Sequence, residues 1–182
     1  MKNTIITISR QYGSAGRAIG HQVAEKLGLE CYDSQIITKI AEESGFDAEY
    51  VRQNSETTSE SGFFASLTGM DLYTFSNRDT IWVLQTKIIT ELAEKGPCVI
   101  VGRNADYILK DREDTLHVYI HADMDYRADR IVRLYGESEK SPMARLQEKD
   151  KRRHVNYQHY TGRVWGTAQN YDICLNGGTI GV

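Results

Sequence analysis

The chain has 182 residues, 40% hydrophobic and 26% charged, which suits one compact domain with a real core, and no second domain is expected. A net charge of −3 and a pI near 6.0 exclude a protein built to coat DNA or RNA, whose footprint is basic. No stretch approaches the roughly 20 apolar residues of a membrane span. Thr7 and Ser9 interrupt the N-terminal apolar run before a signal core is complete, so cytoplasm is the expected location.

Charge is segregated along the chain. Glu30 to Glu60 carries eight acids against two bases, whereas Asp123 to Arg163 carries ten bases against seven acids. Cys31, Cys98 and Cys174 are odd in number and far apart, a pattern that fits neither a disulfide framework nor a zinc site. They are expected as core thiols in a reducing compartment.

The first element is a β-branched strand ending at Ser9, followed by a loop with Gly13 and Gly16 and a helix in which Ile19, Val23 and Leu27 recur up to Gly28. Strand, glycine loop and helix aim backbone N–H groups at one point and favour a phosphate there. Compared with G-x-x-x-x-G-K-[ST], Gln11 stands at the first glycine, Arg17 at the lysine and Ala18 at the hydroxyl. Ala18 cannot ligate a metal, so Mg²⁺, if used, is left to the nucleotide, to water or to a carboxylate elsewhere. A tight βα turn whose glycines serve geometry alone is the competing explanation.

Leu29 to Tyr32 reads as a short strand and Ser34 to Ser44 as a helix capped by Asp33 or Ser34. Asp33 also stands at the carboxyl end of a strand, the rim where open α/β sheets bind ligands. Arg52 to Met70 is polar and aperiodic apart from Phe63-Phe64, and is expected as a flap. A scaffold helix follows from about Asn77 to Lys95, with Ile81, Leu84, Ile88 and Leu92 on its apolar face and Gly96-Pro97 as its stop.

Cys98 to Val101 has the unbroken apolar run of a buried parallel strand and leads into Gly102-Arg103-Asn104. Its position at a strand's carboxyl end makes Arg103 a candidate ligand residue. Leu116 to Ile120 is the next strand, and the alternation of strands and helices predicts an α/β fold with a parallel sheet and right-handed crossovers. Asp123 is placed to cap a helix with Ile131 and Leu134 inward and Arg127, Arg130 and Arg133 as an outward basic ridge. Pro142 opens a second helix, carrying Arg145, Lys149, Asp150, Lys151, Arg152 and Arg153. Two arginine-crowded helices can close over a polyphosphate, or stand simply as a solvated pair. Tyr157, Tyr160, Trp165 and Tyr171 are expected to pack, with a nucleobase platform as the alternative. A last strand is expected over Tyr171 to Leu175, before a turn at Asn176-Gly177-Gly178.

Together, Ile-Thr-Ile-Ser-Arg-Gln-Tyr-Gly-Ser-Ala-Gly-Arg, Tyr32-Asp33-Ser34, the run from Val99 through Gly102-Arg103 to Asp106, Asp150-Lys-Arg-Arg153 and Tyr160-Thr-Gly-Arg-Val-Trp-Gly166 resemble the cytidylate-kinase-like family of P-loop proteins over nearly the whole chain. The resemblance implies a P-loop NTPase-type three-layer sandwich: a single domain over 1–182, with a flap at about 52–76 and a helical lid at about 123–160. It implies donor phosphates on Gly13, Ser14, Ala15, Gly16 and Arg17, with Arg130 of the lid. Asp33, Arg103 and Asp150 would address the acceptor, and Arg17, Arg103 and Arg153 would be catalytic clamps. ATP is the implied cofactor, with Mg²⁺ held mainly by nucleotide and water and no protein metal site. One departure is Val101, where true cytidylate kinases carry an Asp.

The leading expectation is an ATP-dependent phosphotransferase acting on a nucleoside monophosphate or another small phosphate acceptor. The alternative is a non-catalytic nucleotide-binding sensor. An NAD-binding Rossmann module is disfavoured, because the loop lacks G-x-G-x-x-G. Partners are expected to be small nucleotides, not nucleic acid or membrane, and the sequence leaves a homo-oligomer open.

Overall fold

The structure, a computed structural model, describes residues 4–55 and 77–181. A five-stranded, all-parallel sheet runs in the order β2-β3-β1-β4-β5. The strands are β1 (Ile5–Arg10), β2 (Glu30–Tyr32), β3 (Cys98–Val101), β4 (Thr115–His121) and β5 (Ile173–Asn176). β1 is central, so its carboxyl end and that of β3 open side by side onto one rim.

The β3 sequence explains its burial. Cys98 and Ile100 point into a cluster with Ile36, Ile40, Ile81, Ile88 and Leu92, whereas Val99 and Val101 meet Ile8, Ala24 and Ile120 on the other face. A strand covered on both sides has no use for alternation and reads as a continuous apolar run. Helix α1 (Gly16–Leu27) covers one face; α2 (Ser34–Ser44), α3 (Ala48–Asn54) and α4 (Asn77–Glu94) cover the other. Each fully buried isoleucine of α4 contributes about 2 kcal/mol.

A short helix α5 (Ala105–Ile108) follows β3, and α6 (Met124–Tyr135) and α7 (Pro142–Thr161) pack against the loop after β1. Their own small cluster, Ala128, Ile131 and Leu146, takes in Tyr12 of that loop. A 3₁₀ turn (Ala168–Asn170) precedes β5, and α8 (Gly177–Ile180) closes the described chain.

Several expectations need correction. Arg52 to Asn54 belong to α3, not to an irregular flap; Phe63, Phe64 and the rest of 56–76 lie outside the described residues. Arg127 is not on an outward ridge but buried, and Leu134 is exposed: a carboxylate across the helix pair draws the arginine in. Asp123 makes no side-chain cap bond, whereas Ser141 caps α7 by accepting from the Ala144 N–H. Asn176-Gly177-Gly178 is a helix start, with Asn176 accepting from the Gly178 N–H, instead of a turn. Cys98 is a core thiol as expected, but Cys174 is exposed.

Candidate active site

The loop Gln11–Ala15 is held by its own backbone and by β4. Gln11, at the place of a P-loop's first glycine, donates its N–H to the Ile120 carbonyl at 3.0 Å and accepts from the Ala122 N–H through Oε1 at 3.1 Å. A glycine could not make the second bond. Gly13 has φ +81, and a Cβ there would stand 3.0 Å from the Arg127 carbonyl, so both conformation and space call for glycine.

Ser14 is fully buried, and its hydroxyl lies 3.0 Å from the carbonyls of Gln11 and Ile120, to which it donates. Its side chain therefore braces the loop from below; only its backbone faces the rim. Ala15, the N-cap of α1, has φ +70 and no side chain to cap with. The first-turn N–H groups of Gly16, Arg17 and Ala18 are thus left for an anion at the positive end of the helix.

Arg17 is 60% exposed and pairs through Nε with Asp33 Oδ2, which His21 approaches at 3.8 Å. Asp33 does not cap α2; its N–H donates to Gln35 Oε1, and its carboxylate faces Arg17 instead. Both residues stand on the rim beside the loop.

After β3 the backbone takes three left-handed residues in a row: Gly102 (φ +75), Arg103 (φ +58) and Asn104 (φ +54). Such a conformation at arginine costs about 1–3 kcal/mol and persists only where the surroundings impose it. Here they do. Gly102 donates to the Ile8 carbonyl, the buried Gln85 of α4 donates to the Arg103 carbonyl at 2.9 Å, and Asn104 donates to Asn156 Oδ1 at 3.1 Å. The strained turn aims Arg103 at Ser55, where its Nη1 donates to the hydroxyl. Arg103, Arg10, Arg153, Ser9, Asn156 and Trp165 line a narrow cleft over the ends of β1 and β3.

Helices α6 and α7 grip the loop directly. Asp150 accepts from the Tyr12 N–H at 2.8 Å and pairs with Arg127 at 2.5 Å, and the same Arg127 nitrogen donates to the Tyr12 carbonyl at 3.3 Å. Arg153 donates to the Arg10 carbonyl at 3.0 Å and lies over the Tyr12 ring, 5.9 Å from its centroid. Asp150, expected to address an acceptor, thus has both oxygens committed to the loop and Arg127. Arg130 is half-buried one turn further along α6, outside the cleft lining. Gly13, Ser14, Ala15, Gly16, Arg17 and Asp33 gather on one rim, with Arg103 and Arg153 in the adjoining cleft.

Behind the cleft is a group that sequence reasoning missed. Asp106 is 4% exposed, and its carboxylate accepts from the Tyr157 hydroxyl at 2.6 Å and from Ser9 at 3.5 Å. Burial pushes the Asp106 carboxyl above the usual 3.8, the Tyr157 bond opposing the shift, and burial likewise raises Tyr157. A raised carboxyl contributes stability that is present below the unfolded value and lost as pH rises through the folded one. Stability is therefore expected to fall with rising pH across that window, and Asp106→Asn to flatten the fall. Denaturant titrations at a series of pH values check this; equal slopes in the two proteins would contradict it. The only trace in the sequence was an acid just past a glycine-arginine turn, which helix propensity explains equally well.

Residues 5–179 match the model of the cytidylate kinase-like family. The chain belongs to the cytidylate kinase-like family. A cytidylate kinase of Methanopyrus kandleri is 24% identical over 183 residues, covering 96% of this chain and 84% of that one. Among solved structures, an uncharacterized protein from Eubacterium ventriosum superposes with TM-score 0.70 at 25% identity, over 95% of this chain and 87% of the other. Shikimate kinase from Bacteroides thetaiotaomicron shares the fold, with TM-score 0.56 at 15% identity over 96% and 87% of the two chains. As a member of this family the protein is a kinase-like phosphotransferase with an α/β P-loop fold. Among the described residues no helix is long and apolar enough to cross a membrane.

Proposed function

We propose that the protein transfers the terminal phosphoryl group of ATP to a small phosphorylated acceptor, a nucleoside monophosphate of the cytidylate kind being the first to test. The observation that carries this is the adjacency of two features: the uncapped first turn of α1, and the arginine-lined cleft at the exit of β3. The first suits donor phosphates on the amides from Gly13 to Arg17. The second suits an acceptor that brings its own phosphate, because planar guanidiniums of Arg103 and Arg153 match phosphate oxygens in pairs. Arg17 and Asp33, joined across the rim, would face donor and acceptor respectively.

Such a site needs little covalent chemistry from the protein. Positioning by the loop, neutralisation by arginines and exclusion of water by α6 and α7 are its contributions. Mg²⁺ would supply charge neutralisation on the donor phosphates. Its protein ligands are few: Ser14 Oγ is turned inward and Ala18 offers nothing. Among the described residues no group of three His, Cys, Asp or Glu could hold a metal. Asp33 is a carboxylate on the rim of the loop and is already paired with Arg17, so nucleotide and water would provide most of the coordination.

The same paucity of metal ligands favours one rival, a non-catalytic nucleotide sensor. Thermal shift with nucleoside mono-, di- and triphosphates, followed by an ADP-release assay with each stabilising monophosphate and Mg²⁺, separates the two. ATP at 100 times its Kd is expected to add about 2.7 kcal/mol, and a monophosphate pair is expected to release ADP. Stabilisation by ATP with no ADP release across the panel would point to the sensor, and no stabilisation by any nucleotide would remove both.

A further inference from the structure

Arg10, which lies within the Ile-Thr-Ile-Ser-Arg-Gln run but takes no role from it, occupies the space between the two anion sites. Its stem runs beside Gly16 at the start of α1: a Cβ on Gly16 would stand 2.5 Å from the Arg10 Cβ and 3.0 Å from its Cγ. Its guanidinium lies against Gly102, at the exit of β3, where a Cβ would fall on Nη1 and Cζ and stand 3.1 Å from Nη2. Two glycines far apart in sequence, one in each anion-facing turn, thus clear a corridor for a single side chain. The corridor is fixed at its base, because Arg153 Nη1 donates to the Arg10 carbonyl and the next residue, Gln11, is pinned to β4 through both backbone and side chain.

Arg17 holds the sequence position of a P-loop lysine, but it is largely exposed and engaged by Asp33. Arg10 is half-buried, lines the cleft with Arg103 and Arg153, and begins at the loop. Resting on the phosphotransferase function proposed above, we infer that Arg10 supplies the cation at the transferring phosphoryl group, the position a P-loop lysine serves elsewhere. In that step the bond from the terminal phosphorus to the bridging oxygen breaks, with its electron pair leaving on ADP. An oxygen of the ionised acceptor phosphate forms the new bond, so no proton has to be abstracted. A half-buried guanidinium, carried into the cleft on a stem that starts beside the loop, neutralises the phosphoryl oxygens through the whole displacement, which a rim-exposed arginine screened by water does less well.

The test compares ATP with ADP, since the two differ by the group that Arg10 would hold. Calorimetric titration of the wild-type protein and of Arg10→Gln is expected to show ATP binding weakened by about 10- to 100-fold, as for loss of a charge-assisted pair, with ADP binding changed by less than about threefold. Arg10→Lys is expected to recover part of the ATP affinity. In the wild-type protein, mass-spectrometric footprinting with phenylglyoxal should show Arg10 protected by ATP and not by ADP, a readout that needs no variant to fold. Equal loss for ATP and ADP, or no ATP-specific protection, overturns the role of Arg10 while nucleotide binding by the wild type keeps the broader function alive. Wild-type protein that binds neither nucleotide removes that function, and this inference with it.

Discussion

Arg103→Gly is expected to leave stability within about 1 kcal/mol of the wild type while lowering kcat/KM for phosphoryl transfer by about 100-fold or more. The two halves have separate causes. Arg103 sits at φ +58, where an L side chain is strained and glycine is not. Relief of that strain offsets the lost Ser55 bond, which is worth about 1 kcal/mol, and the greater freedom of glycine in the unfolded chain. The carbonyl that Gln85 holds is retained. What disappears is a guanidinium in the cleft, and loss of one preorganised charge at a transferring group costs about 3 kcal/mol of barrier stabilisation. Denaturant unfolding and a coupled assay on the same preparation check both. Full activity with unchanged stability would place Arg103 outside the chemistry; a large loss of stability would make its role structural.

Arg127→Ala is expected to destabilise the protein by about 3 kcal/mol and to weaken nucleotide binding, though Arg127 touches no part of the cleft. Its side chain is 5% exposed and Asp150 18%, so neither charge has much water to fall back on. Removing one partner of a buried pair strands the other, which is far more costly than the pair is favourable. The lower end of the usual range is expected because Asp150 keeps the Tyr12 N–H. The effect on binding follows from where the pair acts: Asp150 holds the N–H of Tyr12 and Arg127 its carbonyl, next to Gly13. Arg133→Ala, six residues on and exposed, should shift stability by less than about 0.5 kcal/mol. Urea titrations of the two variants, with calorimetry of ATP binding, test the contrast; equal behaviour would mean that the clip does not hold the loop. A double change to apolar residues at Arg127 and Asp150 should recover part of the stability but not the binding.

That contrast shows where sequence patterning stops being informative. Arg127, Arg130 and Arg133 have the spacing of a solvated ridge, and nothing local distinguishes the first from the third. The distinction comes from Asp150, on another helix, standing where it can meet Arg127 and the loop at once. Asp33 presents the same difficulty in reverse: its position before a helix suggests capping, yet Arg17, brought close by the β1–α1 turn, takes its carboxylate. Arg10 and Asp106 show no role in the sequence because a charged residue at a strand end, or in the first turn of a helix, has ordinary local explanations. Only the neighbours Gly16 and Gly102 in one case, and Ser9 and Tyr157 in the other, reveal otherwise.

Strands, helices and the glycine loop were legible because each depends on periodicity, on turn residues or on unbroken apolar runs. Ser34–Ser44 and Cys98–Val101 match their expected bounds, and the parallel sheet follows from the alternation of elements. Family membership was legible too, since it rests on motifs in order along the chain. By itself, then, the sequence determined the architecture and the location of the glycine turn between β1 and α1. The tertiary structure alone decided which arginines point into the cleft and which carboxylates are consumed holding the loop. Apolar side chains all seek the same interior, so their pattern betrays their direction; a charged side chain goes wherever its counter-charge or its space happens to be, and that is set by segments distant in the chain.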